Sequence, residues 1–85
     1  MKDPTVTIPY ESRFAAGDSV RIAGREQLEA FRRSWRLHNP LAEEQLHQAD
    51  RAARVAEIGF YHGGDPLYRL EVIPGVWHES CLIGP

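Results

Sequence analysis

The chain has 85 residues, 42% of them hydrophobic and 26% charged, with a formal net charge of −2. That length suits one domain with a modest core, the composition is too apolar for wholesale disorder, and the charge lacks the whole-domain basic excess of phosphate-binding proteins. No window approaches the roughly 18 apolar residues of a membrane span, the start MKDPTVTIPY lacks the basic segment and apolar run of a signal peptide, and a single cysteine cannot form an internal disulfide, so a cytoplasmic protein is expected.

There is no internal repeat, but the hydrophobic period changes twice and divides the chain into a β part, an α part and a longer β part. Residues 1–13 read as an N-terminal arm carrying the short alternation Thr5-Val6-Thr7-Ile8, stopped by Pro9, with Phe14 tucking the arm down. Gly17-Asp18 is a turn feeding the strand Ser19-Val20-Arg21-Ile22, in which Val20 and Ile22 face inward. Over 25–38 the pattern turns helical. Leu28, Phe31 and Trp35 form one apolar face, while Arg25, Glu29, Arg32, Arg33 and Arg36 lie mainly on the polar side. Asn39-Pro40 then predicts a second helix, with Asn39 as N-cap, Pro40 at the first helical position and an end near Arg51. Its apolar positions, Ala42, Leu46, Ala49 and Ala53, are mostly small. Residues 25–51 are thus a two-helix insertion.

The β part resumes at Arg54–Tyr61, rich in β-branched and aromatic residues, and His62-Gly63-Gly64-Asp65-Pro66 is a cluster of turn formers. Leu67–Val72 completes a hairpin in which Arg69 and Glu71 alternate with inward-facing Tyr68, Leu70 and Val72. Ile73-Pro74-Gly75-Val76 is a second reversal. Val76-Trp77-His78 is a third short strand of this part, Glu79-Ser80-Cys81 a brief helical turn, and Leu82-Ile83 a last strand. Short strands joined by close turns suggest a partly open barrel, because curling the sheet removes exposed edges.

These residues resemble the SH3-like barrels. Gly17-Asp18-Ser19-Val20-Arg21-Ile22 is similar to the opening strand of several such domains, and Gly59-Phe60-Tyr61, Leu67-Tyr68-Arg69-Leu70 and the ending His78-Glu79-Ser80-Cys81-Leu82 are similar to later parts. Openings and endings of this kind occur in the nitrile hydratase beta subunit, in plasmid-type dihydrofolate reductases, and in small photosystem and ferredoxin-reductase subunits. The resemblance implies a mainly β fold: a small five-stranded SH3-like barrel over one domain, 1–85, with the two-helix insertion between the first and second strands, α+β overall. The insertion departs from the minimal barrel, which has a loop there. The plasmid-type reductase uses a Val-Gln-Ile-Tyr run where this chain has Val76-Trp77-His78-Glu79, so its catalytic pattern is missing. The nitrile hydratase beta subunit does not supply that enzyme's metal-binding cysteines, so that likeness implies a structural role.

Chemistry-bearing residues concentrate in GFYHGGDPLYRLEVIPGVWHESCL, residues 59–82. His62, His78, Glu79 and Cys81 are metal-ligand types, but a structural zinc site wants paired clusters such as CxxC and this chain has one thiol, so no metal or other cofactor is expected. Cys81 with His78 or His62 as base would make a nucleophile pair. No third residue orients the base, and Cys81 reads better as a small buried side chain. Gly63-Gly64 lacks the spacing and the Lys-Ser/Thr of a phosphate loop.

Two binding features survive. Tyr61, Tyr68 and Trp77 stand beside the loops, where SH3-like and Tudor-like modules hold peptides or methylated side chains. A small core also needs large side chains, and at least two of the three are expected inside it. The second feature is the helix face of Arg25, Arg32, Arg33 and Arg36. Residues 21–36 carry five arginines against Glu26 and Glu29, suited to an acidic protein or nucleic acid, although charge runs on an exposed helix are more often a solvated face. Phe31 and Trp35 on a helix beyond a small barrel add a case for self-association. The expected function is therefore non-catalytic binding of a protein partner, with Trp35 and the arginines of the insertion as the docking element. A nucleic-acid module using the arginine face is the alternative, and a small enzyme subunit with its site at His62, His78 or Cys81 a third reading.

Overall fold

A computed structural model of the chain describes residues 12–61 and 64–85. The strand-like piece Thr5–Ile8, the arm up to residue 11 and the turn position His62 lie outside the described residues. Strand β1 spans Ser19–Ile22, helix α1 Arg25–Ser34, the short helix α2 Glu43–Leu46, and strand β2 Ala52–Tyr61. Strand β3 spans Asp65–Leu70 and β4 Trp77–His78, followed by a 3₁₀ turn at Glu79–Cys81 and strand β5 at Leu82–Ile83. The strands form one antiparallel sheet in the order β4-β3-β2-β1-β5, with both helices between β1 and β2.

Strand β1 alternates as its sequence dictates, with Val20 and Ile22 buried and Ser19 and Arg21 exposed. It pairs with the start of β2 through Ser19↔Arg54, Val20↔Ala53 and Arg21↔Ala52, which is why β2 begins two residues earlier than Arg54. Its other edge holds β5 through Arg21↔Ile83 and Ile22↔Leu82. The far half of β2 pairs with β3 from Val55↔Leu70 to Tyr61↔Asp65, and the register shifts between Val55 and Glu57. The bulge at Ala56 bends β2, so that its two halves serve two different neighbours.

The sheet cannot be flat. Strands β4 and β5 stand at its opposite ends, and a flat sheet would hold them about 19 Å apart at ~4.8 Å per strand. From His78 to Leu82 the chain makes four Cα steps, a reach of at most about 15 Å. The 3₁₀ turn therefore ties the two ends of the sheet together and forces it to curl.

Inside the curl lie Val20, Ile22, Leu28, Val55, Tyr68, Leu70, Trp77, Cys81 and Leu82, with Leu41, Leu46 and Ile73 closing the cluster. Each fully buried aliphatic side chain among these contributes about 1.5–3 kcal/mol relative to exposure. Helix α1 enters the core through Leu28 alone, which is completely buried, while Phe31 packs at its margin.

Several boundaries differ from the sequence-based expectation: among them, α2 ends at Leu46 and not near Arg51, and β3 takes in Asp65 and Pro66, which read as turn. Helix α1 stops at Ser34 and not near residue 38, because Trp35 turns to extended backbone (φ −89°, ψ 119°) and its indole N–H donates to the His38 carbonyl at 2.6 Å. Asn39 is not an N-cap and Pro40 does not open a helix. Asn39 has φ 48°, a left-handed conformation, and α2 begins later, behind Ala42. Because alanine has no capping atom, the cap comes from the far side: the Gln45 side chain accepts the Ala42 N–H at 2.8 Å. Strand β3 ends at Leu70, and Val72 is 93% exposed at φ 72° instead of facing inward. The Glu71 N–H donates to the Arg54 carbonyl, after which the chain reverses and sends Ile73, not Val72, into the core.

Gly75 is the glycine that this reversal requires. Its φ is +108°, and a Cβ there would stand 2.9 Å from Nε2 of Gln45, which donates to the Val76 carbonyl. Two substitutions in this loop should act in opposite directions. Gly75→Ala should lower stability by about 1–3 kcal/mol, and Val72→Gly should raise it by about 1 kcal/mol by relieving a strained β-branched residue, both read from urea unfolding midpoints.

Candidate functional site

The segment that follows α1 crosses the β3–β4 end of the sheet and brings together five rings from four parts of the chain. Phe31 stacks on Trp35 with centroids 5.4 Å apart, and both rings stand 4.8 Å from His78 of β4. His38 meets Trp35 edge-on at 5.3 Å and stacks on Tyr61, the last residue of β2, at 3.7 Å. The two imidazoles are 5.5 Å apart. Parallel and tilted ring contacts of this kind each contribute about 0.5–1.5 kcal/mol beyond burial.

Polar contacts fix the cluster. Besides the indole bond that pins Trp35, Nε2 of His78 lies 2.8 Å from the Asn39 carbonyl oxygen. A carbonyl only accepts, so the neutral imidazole carries its hydrogen on Nε2. His38 Nε2 is buried, has no hydrogen-bond partner among the described residues, and stands 3.7 Å from Oδ2 of Asp65. His78 is displaced below the ordinary imidazole pKa: burial lowers it most, the Asn39 carbonyl pulls the other way, His38 lowers it and Asp65 raises it.

Beside the rings opens a cleft of about 220 Å³, lined by Phe31, Trp35 and His78 together with Asp65, Pro66 and Glu79. Glu79 is held from behind. Its Oε2 accepts both the Tyr68 hydroxyl and the Arg13 N–H at 2.7 Å, and the Tyr68 oxygen in turn accepts the Phe14 N–H at 3.3 Å. Burial, reinforced by the bond to Glu79, raises the Tyr68 pKa and keeps its phenol protonated.

The aromatic groove of Tyr61, Tyr68 and Trp77 does not form. Tyr68 and Trp77 face each other across β3 and β4 and are fully buried in the core, whereas Tyr61 is 40% exposed and joins His38. The arginines fall elsewhere. Arg25, Arg32 and Arg33 line a separate depression between α1 and α2, shared with Glu29 and Glu43, and Arg25 is paired with Glu29 at 2.9 Å. Arg36 is exposed in the segment after the helix.

His78 and Cys81 do not converge as ligands. His78 is turned to Asn39, and Cys81 is completely buried with its thiol pushed up to about 12, mainly by that burial. A thiol so placed stays protonated at neutral pH and is a poor nucleophile and ligand. Among the described residues no group of three or more His, Cys, Asp and Glu side chains is placed to hold a metal ion, and no helix is long and apolar enough to cross a membrane.

Sequence reasoning missed His38, Asn39 and Asp65. His38 stands three residues after Trp35, a spacing that reads as one more turn of helix, and its partners Tyr61 and Asp65 lie across a hairpin more than 20 residues away. No known protein family, no curated protein and no solved structure matches this chain.

Cys81 should resist thiol reagents at pH 7–8 in the native protein and react fully once denaturant is added, as followed by a colorimetric thiol assay. The histidine gives a pH signature of definite sign. In the unfolded chain an imidazole takes its proton near 6.5, and in the folded chain His78 takes it lower. Its contribution to stability is therefore complete above pH 6.5 and declines as the pH falls below it, until the folded imidazole titrates in turn. Between pH 7.5 and 5.5 the wild-type urea midpoint should fall by more than that of a His78→Gln variant.

Proposed function

We propose that this chain is a non-catalytic interaction module on a small SH3-like barrel, with the helical insertion and the cleft beside it as the docking surface for a protein partner. The barrel part of the reading rests on the strand order and on the 3₁₀ turn that ties β4 to β5. The binding part rests above all on one observation: Trp35 and Phe31 are stacked at the margin of the core, half-buried, and held in a fixed geometry next to an open cleft. A large aromatic that is rigid and still accessible is the side chain type that dominates binding energy at interfaces, because it buries much area for little lost freedom. The protonated, enclosed Cys81 thiol favours binding over nucleophilic catalysis.

A second reading rests on Arg25, Arg32 and Arg33 lining one depression, a surface for an acidic partner or nucleic acid. Glu29 and Glu43 in the same depression offset part of that charge, which makes it the weaker of the two.

The two readings separate in one set of measurements. The tagged chain is used to capture partners from cell extract, the partner is identified and purified, and its binding is measured by calorimetry to wild type, Trp35→Ala and Arg32→Glu/Arg33→Glu, each checked for folding by circular dichroism. The interaction-module reading expects Trp35→Ala to weaken the purified partner at least tenfold, about 1.4 kcal/mol. Retention on DNA or RNA that falls steeply with salt and disappears in the arginine variant, with Trp35→Ala unaffected, replaces it with the nucleic-acid reading.

A further inference from the structure

We infer that the cleft beside Trp35 receives the arginine side chain of a partner segment, an inference that rests on the interaction-module reading and adds the chemistry of the ligand. The cleft joins two features that seldom share a wall. Its lining holds the rings of Phe31, Trp35 and His78 together with the acidic residues Asp65 and Glu79. Among the described residues that line it there is no lysine or arginine. Arg13 gives Glu79 its backbone N–H while its guanidinium lies over the Phe14 ring, and Arg25, Arg32 and Arg33 line the other depression.

Both carboxylates have capacity left. The two hydrogen bonds to Glu79 fall on Oε2, and among the described residues Oε1 has no hydrogen-bond partner. The Asp65 side chain is 56% exposed, and the His38 imidazole stands 3.7 Å from its Oδ2. An anion would be repelled by these carboxylates, and a neutral apolar group would leave them unsatisfied. A cation with a flat, weakly hydrated head answers both features: a guanidinium stacks on aromatic faces and donates in parallel to a carboxylate. A lysine ammonium is a compact, strongly hydrated point charge and uses the rings less well. The site is also built before the ligand arrives, since the Trp35 indole is pinned to the His38 carbonyl, His78 to the Asn39 carbonyl and Glu79 to Tyr68. Preorganised walls reduce the ordering cost of binding.

The test is a titration of the isotopically labelled full chain with Nα-acetyl-arginine amide, read from the indole N–H resonance of Trp35 and the backbone amides of Asp65, Glu79 and Ser80. The expected result is a saturable shift with a dissociation constant of about 1 mM, at least about tenfold weaker for the neutral isostere Nα-acetyl-citrulline amide. Asp65→Asn, an exposed and nearly isosteric change that keeps the fold, should weaken the arginine probe by a similar factor. Absence of a saturable shift in the wild type overturns the inference, as does an equal response to citrulline or an unchanged response in Asp65→Asn. If a purified partner binds through Trp35 while the arginine probe does not, the ligand assignment fails and the interaction module stands. If neither binds at the cleft, both fail.

Discussion

The two ends of the sheet are tied to each other by three residues of 3₁₀ turn, and the sheet must curl because a flat one is wider than that link can reach. The curl creates an inside. Tyr68 and Trp77, cross-strand neighbours on β3 and β4, fill it with the two largest fully buried side chains among the described residues, and Val20, Ile22 and Leu82 meet them from β1 and β5. The bulge at Ala56 lets β2 bend just beyond the point where it passes from pairing with β1, at Arg54, to pairing with β3, at Val55.

An inside this small cannot hold everything apolar. Leu28 occupies the place available to α1, and Phe31 and Trp35, one and two turns further along the helix face, reach the margin of the curl instead. The helix ends where continuing it would carry Trp35 away from His78. Trp35 keeps its backbone N–H on the Phe31 carbonyl, and beyond it the helix gives way to the indole bond to His38 and to ring contacts with Phe31, His38 and His78. The segment 35–39 then lies across the β3–β4 end, where its His38 stacks on Tyr61 and its Asn39 carbonyl meets His78. The cleft beside it is lined by the rings of Phe31, Trp35 and His78 and by the acidic residues Asp65 and Glu79.

Much of the architecture is legible in the residues. The alternation in Ser19–Ile22 places β1, and the helical period of Leu28 and Phe31 places α1. The brief helical turn at Glu79–Cys81 is equally local, because these elements draw on period and turn chemistry alone. Positions where local rules gave way share a physical cause. Asn39-Pro40 has the chemistry of a helix start, yet Asn39 adopts a left-handed turn because its carbonyl is engaged by His78 from a strand 39 residues later. Val72 continues an alternating pattern, yet the backbone bond from Glu71 to Arg54 turns it outward and gives its place to Ile73.

By itself the sequence determined the element types, their order and a hydrophobic content sufficient for one core, since these depend on neighbours along the chain. It also determined that Cys81 has no thiol to pair with within the chain. Only the tertiary structure decided which aromatics are spent on the core and which remain at a surface. Tyr68 and Trp77 went inside because cross-strand register set them side by side on the inner face of the sheet. Trp35 stayed at the margin because the curled sheet had no volume left for it, and His38 met Tyr61 and Asp65 only when a hairpin and an insertion far apart in sequence were brought against each other. Volume and register are properties of the assembled sheet, and no window of the chain encodes them.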